Sequence, residues 1–444
     1  KRMHMHHDLV VEGKIVNPGS GVVHDTVQIG IDGAFITELK KQGLIGERNI
    51  EVRGCLIFPG FIDLHAHLRE DSSEKWSYKE DFRSGSAAAI HGGITTIADM
   101  PNTPQPAINA ARLRAKKELA QSKSEVEIFF YGAVTESNTE ELAGMSKEAI
   151  GYKIFLADGP LYIRQEVLPE ALRAVEAASN SKPKPIVVHC EDQELIENRR
   201  EELEKNKDVR AGAELHSWLR PAQAELSAVR SVLSCASGIR NSVNIAHISV
   251  YDSLLLIRRS GRGRGKARIY CEVTPHHLFF NTDDLNIKKG LLKTNPPLRS
   301  ESNRRQLLDA FKRGEIDFLV TDHAPHTIEE KTLGLMDAPA GVPNLDTFGS
   351  FVAWLIYSCG VSPELISRVC SYNPAKFLGL RDRGIVEVGK RANLTILEHR
   401  SVKVRSEQLS TKCGWSPFEG YEFPGTVRYT IVNGEPFIAT SDAP

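Results

Sequence analysis

Residues 58–70 read FPGFIDLHAHLRE, an apolar run that opens after Pro-Gly and closes on two histidines one residue apart. A short apolar run bounded by turn residues is the mark of a buried strand. Seven further runs have the same build: ITTIADM (94–100), VEIFFYGAV (126–134), GYKIFL (151–156), PIVVH (185–189), VNIAHIS (243–249), RIYCEV (268–273) and IDFLVTD (316–322). Helix-like stretches lie between them at 80–92, 109–122, 165–179, 221–237 and 302–313. Eight such alternations across 59–380 predict a TIM (β/α)8 barrel, with a doubly wound sheet as the second choice.

The flanks have a different texture. HDLVVEGKIV (7–16), TVQIGIDGAFITEL (26–39) and IEVRGCLIF (50–58) alternate apolar and polar residues between Asn-Pro, Asp-Gly and Gly breaks, and so do GIVEVGKRANLTILE (384–398) and VRYTIVNGEPFI (427–438). That is strand-and-turn chemistry. It predicts a small β-sandwich domain built from both chain ends, 1–58 with 381–444, around the barrel at 59–380.

Composition narrows the function classes. Of 444 residues, 41% are apolar and 25% charged, and 56 Lys+Arg against 57 Asp+Glu leave a net charge of -1. This is ordinary globular composition without the basic excess of a nucleic-acid or membrane-surface binder. No apolar run is long enough for a membrane span, and the opening KRMHMHHDLV lacks the apolar core of a signal peptide. Seven cysteines without a CxxC pair read as free thiols of a cytoplasmic protein. His4, His6 and His7 read as an appended segment without a role. GRGRGK (261–266) lacks P-loop spacing and reads as a surface loop, and the charged stretch 191–210 reads as a solvated helix.

A TIM barrel builds its active site at the C-terminal ends of its strands. Here those ends carry His65 and His67, Lys153, His189, His247, and Asp322 followed by His323. Residues two apart on a strand point the same way, so His65 and His67 can grip one ion. Buried histidines bonded to backbone would not gather at strand ends, so the pattern predicts a metal centre.

The motifs FPGFIDLHAHLRE, DMPNT (99–103), HCED (189–192), AHIS (246–249), EVTPHHL (272–278), KTNPPLR (293–299), TDHAPH (321–326) and AGVP (340–343) run in order along nearly the whole chain. In them the sequence resembles the dihydroorotases of the amidohydrolase superfamily. That resemblance implies reversible ring opening of L-dihydroorotate to N-carbamoyl-L-aspartate in de novo pyrimidine (UMP) biosynthesis. It implies two divalent metals, typically zinc, with His65, His67 and Asp322 on one ion and His189 and His247 on the other. Lys153, carboxylated by CO2, would bridge them, with Asp158 as the alternative bridge. A water shared by two ions about 3.5–4 Å apart would act as hydroxide, and Asp322 would shuttle the proton.

The resemblance assigns Arg69, Asn102 and His326 to the substrate carboxylate, and Asn295 with the backbone of Ala340 and Gly341 to the ring edges. Arg69, two residues past the HxH, keeps its strand-face parity and can fork onto a carboxylate. His276 and His277 read as supporting groups, and Asp99, Cys190 and Trp76 as structural. The family habit is a homodimer, with aspartate transcarbamoylase as a candidate larger partner. Relatives commonly read HLREPG, whereas here Asp71-Ser72-Ser73 follows HLRE, which alters the loop after the first strand. The rival readings are another cyclic amidohydrolase, an allantoinase or hydantoinase, and a catalytically inactive scaffold of the same fold.

Overall fold

The computed structural model describes residues 6–19, 26–179, 182–205, 214–261 and 267–439. The chain opens with β1 (His6–Ile15), β2 (Val27–Asp32), β3 (Phe35–Lys40) and the long β4 (Ile45–Pro59). Strands β2 and β3 form a tight hairpin in which Gly33 takes φ +54, a conformation that favours glycine. β1 lies between β2, antiparallel, and β4, parallel.

The next eight strands form the barrel: β5 (Phe61–Ala66), β6 (Ile94–Asp99), β7 (Glu127–Ala133), β8 (Gly151–Phe155), β9 (Ile186–His189), β10 (Val243–Ile245), β11 (Ile269–Val273) and β12 (Phe318–Leu319). They are joined in sequence order, each parallel to the next. The circle closes where Ala66 bridges His323 and the His67 N–H donates to the His323 carbonyl at 2.7 Å. All eight predicted strands are present. Most are buried on both faces, which is why they read as unbroken apolar runs without alternation.

The predicted helices sit between them, within a few residues of their expected ends, and their boundaries have a local cause. Asp81 caps Phe82–His91 in a reciprocal box with Ser84, Asn109 caps Ala110–Gln121, and Ser300 caps Glu301–Lys312. Helix Asn373–Leu378 packs Phe377 and Leu378 against Ile62, Val187 and Phe318. Its neighbours Ser371 and Asn373 bond the carbonyls of Pro59 and Asp317, just ahead of β5 and β12. The N-terminal mouth of the barrel is thereby plugged, leaving the C-terminal mouth for chemistry.

The chain ends with β13 (Leu394–Glu398), β14 (Val402–Lys403), β15 (Glu422–Phe423), β16 (Thr426–Val432) and β17 (Glu435–Ile438). Strands from both termini join one sheet in the order β17-β16-β13-β4-β1-β2-β3. The sheet folds over its own core of Leu9, Val11, Ile29, Ile57, Leu394 and Ile431. At its far edge Ile36 and Ala392 donate backbone hydrogen bonds to Lys390 and Ala34, bringing the β3 edge against the segment that leads into β13.

One sequence reading changes. His6 and His7 belong to β1, and the buried His7 ring lies 2.9 Å from Asp32 and 3.3 Å from Glu38. Gly30 leaves room for it, since a Cβ there would stand 2.8 Å from the ring. His7 therefore has a structural role, while His4 lies outside the described residues. The helix Gln193–Lys205 buries only Ile196, as a solvated helix should, and residues 206–210 lie outside the described residues. So does GRGRGK beyond Gly261. Among the described residues no helix is long and apolar enough to cross a membrane.

The pair β14–β15 is the stem of an excursion, 404–421, that crosses to the barrel mouth. Thr411 donates its hydroxyl to Glu80, whose other oxygen accepts the Lys412 N–H at 3.0 Å. Trp415 Nε1 donates to the His326 carbonyl at 2.7 Å.

Candidate active site

The donor groups predicted from the strand ends converge. His65 and His67 each turn Nε2 toward Asp322 Oδ1, at 3.3 and 3.2 Å. Their Nδ1 atoms are engaged elsewhere, His65 with Glu272 at 2.5 Å and His67 with Asn102 Oδ1 at 2.7 Å. A ring that donates from Nδ1 presents a lone pair at Nε2. Burial drives both imidazoles below their usual pKa, which favours that neutral form. Asp322 is buried, which alone would raise its pKa, and only positive charge or N–H donors beside it bring it down to about 2. Two lone pairs and a carboxylate oxygen therefore face one another, an arrangement that repels unless a cation sits among them.

The second cluster repeats this. His189 gives Nε2 to Glu191 at 2.9 Å and turns Nδ1 to His247 Nε2 at 3.0 Å. His247 is buried and held neutral by that burial. Lys153 stands in β8, fully buried, with no hydrogen-bond partner for its Nζ among the described residues. Burial lowers its pKa and favours the free amine. His247 and Asp322 have φ of +31 and +42, so these two side chains are delivered by backbone in the strained left-handed region. The donors suit divalent metal: imidazole nitrogen, carboxylate oxygen, and an amine that must either stay costly or be converted to a ligand.

Above these groups lies a cavity of about 430 Å³. Arg69, Asn102, Asn295, Ala340 and Gly341 are on its wall, and Trp76, Pro104, Phe155 and Leu161 give it an apolar side. Arg69 reaches it differently from the parity argument. β5 ends at Ala66, and Arg69 is turned inward by φ +64. Its Nε donates to the Pro325 carbonyl at 3.1 Å, and Nη2 is 3.1 Å from His326 Nε2. It makes no ion pair among the described residues, and burial pulls its pKa down to about 10, so it is still charged at neutral pH.

His326 stands behind Arg69 and does not line the cavity; its other nitrogen is 3.0 Å from Lys79 Nζ. Gly341 already donates its N–H to the Lys293 carbonyl. Trp76 is on the cavity wall, its ring centroid 5.6 Å from the Arg69 guanidinium, so it is more than the structural residue expected. Asp99, by contrast, is structural, bonding Lys116 at 2.6 Å and the Leu68 N–H, and so is Cys190, buried against the Val188 carbonyl. His276 and His277 support neighbouring segments through Asn344, Thr274 and the Pro296 carbonyl. The altered loop is fixed by Asp71, which accepts from Ser73 and, at 2.6 Å, from the Gln105 N–H.

Residues 56–436 match the amidohydrolase family. The chain is 33% identical over 413 residues to a dihydroorotase of Methanothermobacter thermautotrophicus, covering 92% of this chain and 90% of that one. A dihydroorotase of Thermococcus kodakarensis is 33% identical over 436 residues, with 96% and 94% covered. The chain belongs to the amidohydrolase family. Among solved structures this amidohydrolase is similar to an L-hydantoinase (dihydropyrimidinase) from Arthrobacter aurescens, at a TM-score of 0.90 and 25% identity, with 97% and 96% of the two chains covered. A dihydropyrimidinase from Brevibacillus agri shares the fold at a TM-score of 0.86 and 20% identity, with 97% and 94% covered.

Sequence reasoning passed over the groups that hold the amidohydrolase's donors in place. Glu272 was visible as a lone carboxylate inside the apolar run RIYCEV, and Glu191 as the acid two residues after His189. Arg220, which ion-pairs both Glu191 and Asp158, had no local signal.

Proposed function

We propose that the protein is a dihydroorotase that interconverts L-dihydroorotate and N-carbamoyl-L-aspartate in de novo pyrimidine biosynthesis. The names of the curated relatives support this reading, and the observation that carries it is Arg69. A buried guanidinium without a carboxylate partner among the described residues, on the wall of a cavity beside convergent candidate metal donors, is a site prepared for an anionic substrate. Dihydroorotate carries such a carboxylate beside its ring nitrogen.

On this reading the barrel at 59–380 is the catalytic unit, with 1–58 and 381–444 as its composite companion domain. His65, His67 and Asp322 would hold one divalent ion, His189 and His247 a second, and Lys153, carboxylated on Nζ, would bridge them. The nitrogen-rich donor set favours zinc. When bound, the ions supply an activated water and polarise the amide carbonyl.

The protein's own residues do the rest. Arg69 would bind the carboxylate, with Asn102 beside it and His326 bracing the guanidinium from behind. Asn295 and the backbone at Ala340 and Gly341 would face the ring. Asp322, ionised at neutral pH, would take the proton of the attacking water and pass it to the ring nitrogen as the C–N bond breaks. The enzyme would work in the cytoplasm as a homodimer, with aspartate transcarbamoylase as its larger associate.

Hydantoin hydrolysis is the second reading, favoured by the 0.90 TM-score to the L-hydantoinase. Assay of dihydroorotate, allantoin and a 5-substituted hydantoin on metal-quantified protein separates the two, and protein that turns over none of them is the inactive scaffold. Arg69→Met sharpens the test. Losing one partner of a buried charge pair costs about 3–5 kcal/mol, roughly two to four decades of kcat/KM. Turnover of dihydroorotate should fall by that much with metal content unchanged, and turnover of dihydrouracil, which has no carboxylate, far less. Near-wild-type hydrolysis of dihydroorotate by Arg69→Met would remove the carboxylate clamp.

A further inference from the structure

Arg69 is the apex of a tight turn. The Glu70 N–H donates to the Leu68 carbonyl at 2.8 Å, and Arg69 itself takes φ +64. A turn closed between residues two apart, with its middle residue left-handed, is rare and strained for a side chain as large as arginine. It persists only where the surroundings over-determine it. The guanidinium contributes its contacts with the Pro325 carbonyl and His326, and no ion pair among the described residues.

The grip comes from the residues on either side. The Leu68 N–H donates to Asp99 Oδ1 at 2.8 Å, and Asp99 Oδ2 accepts from Lys116 Nζ at 2.6 Å. The Leu68 side chain lies over Gly85, where a Cβ would stand 2.7 Å from its Cδ2. On the other side, Glu70 Oε2 accepts the Phe82 N–H at 2.7 Å, and Oε1 accepts from Lys123. Asp99, Glu70 and Lys116 are buried. Lys116 lies in the helix Ala110–Gln121, and Lys123 just past its end. One helix thus brings a cation to each of two buried acids, and each acid holds one shoulder of the turn. A buried acid–lysine pair adds little net stability over apolar residues of the same size, so two such pairs at one turn point to geometry.

We propose that Asp99 and Glu70 are positioning residues: neutralised by Lys116 and Lys123, they pin the turn on both sides of Arg69 and so keep its guanidinium in the cavity. The Asp99 pairing, structural in itself, thereby acts on the substrate through Arg69. This inference rests on the proposed reading of Arg69 as partner of the substrate carboxylate, and adds what holds that partner in place.

The test uses two probes that differ only by a carboxylate, orotate and uracil, titrated calorimetrically into metal-quantified protein. Arg69→Met sets the reference: orotate should weaken by about 10²-fold or more, and uracil little. Glu70→Leu removes the acceptor of the Phe82 N–H. Once unpinned, the turn relaxes, the competent form becomes a minority, and orotate should weaken by about 10–100-fold. Uracil affinity and metal content should stay at the wild-type level. Glu70→Gln keeps an oxygen for the Phe82 N–H and should restore most of the orotate affinity.

Added to Arg69→Met, Glu70→Leu should cost nothing further, because both act through one guanidinium. A general structural fault would instead weaken both probes and add to the loss from Arg69→Met. If Glu70→Leu folds poorly, Asp99→Leu with Lys116→Met replaces the other pair by apolar residues, and should show the same signature. Wild-type affinity for orotate in these variants, or equal loss of both probes, overturns the proposal. Wild-type protein that binds orotate no better than uracil removes the clamp, and this inference with it. A clamp that Arg69→Met abolishes but the pin variants spare sinks the inference alone.

Discussion

Lys153→Ala is expected to lose the paired metals and nearly all activity, and to recover part of both when short carboxylic acids are added. The reason lies in the burial of its amine. A fully buried Nζ without a hydrogen-bond partner is costly as an ammonium and idle as an amine. Carboxylation, as proposed, would give it two oxygens between two clusters of imidazole lone pairs. Alanine leaves a void where those oxygens would be, and a diffusible carboxylate can occupy it. Outer partners of metal ligands typically cost about 10–100-fold in affinity or activity, so a bridging ligand should cost more than about 10²-fold. Metal analysis beside the assay reads both effects. A mutant that keeps two metals and near-normal turnover would remove Lys153 from the centre.

Asp322→Asn separates metal binding from proton transfer. Asparagine can still ligate through its amide oxygen, and His65 and His67 remain to hold the ion, so metal content should be retained. What it cannot do is accept a proton. The rate should fall by at least the roughly 10²–10⁴-fold characteristic of general acid–base groups. The loss should appear in kcat, because the carboxylate clamp at Arg69 is untouched. A loss of only a few-fold would take Asp322 off the proton path and leave it a ligand alone.

The barrel was legible because each of its strands is a short apolar run, and five of them carry titratable residues at or near the C-terminal end, a pattern that survives in the one-dimensional sequence. The helices were legible because Asp81, Asn109 and Ser300 mark where they begin. The donor residues followed from their place at the strand ends. What stayed hidden depends on contacts between distant segments or on special backbone. Arg69 enters the cavity through a left-handed turn that no periodicity predicts. Glu272 is 207 residues from the His65 ring it orients, and Arg220 is 62 from Asp158. His7 gains its role only when β1 and β2 pair and bring Asp32 beside it.

The excursion between β14 and β15 has a consequence for the order in which the protein matures. Synthesis releases the barrel before the excursion, and domains generally fold as they emerge, N-terminal parts ahead of the rest. The candidate metal donors, all at or before Asp322, are thus complete while 404–421 is still to come. Glu80, which holds His323 beside Asp322 at 2.9 Å, waits for Thr411, 331 residues later, and the His326 carbonyl waits for Trp415. On the proposed reading, a nascent chain would gather its metal ligands well before the wall of the cavity is secured. Competence arrives with one of the last segments to be made, and a chain cut short before Thr411 would be a barrel able to hold ions but poorly shaped to hold the molecule they act on.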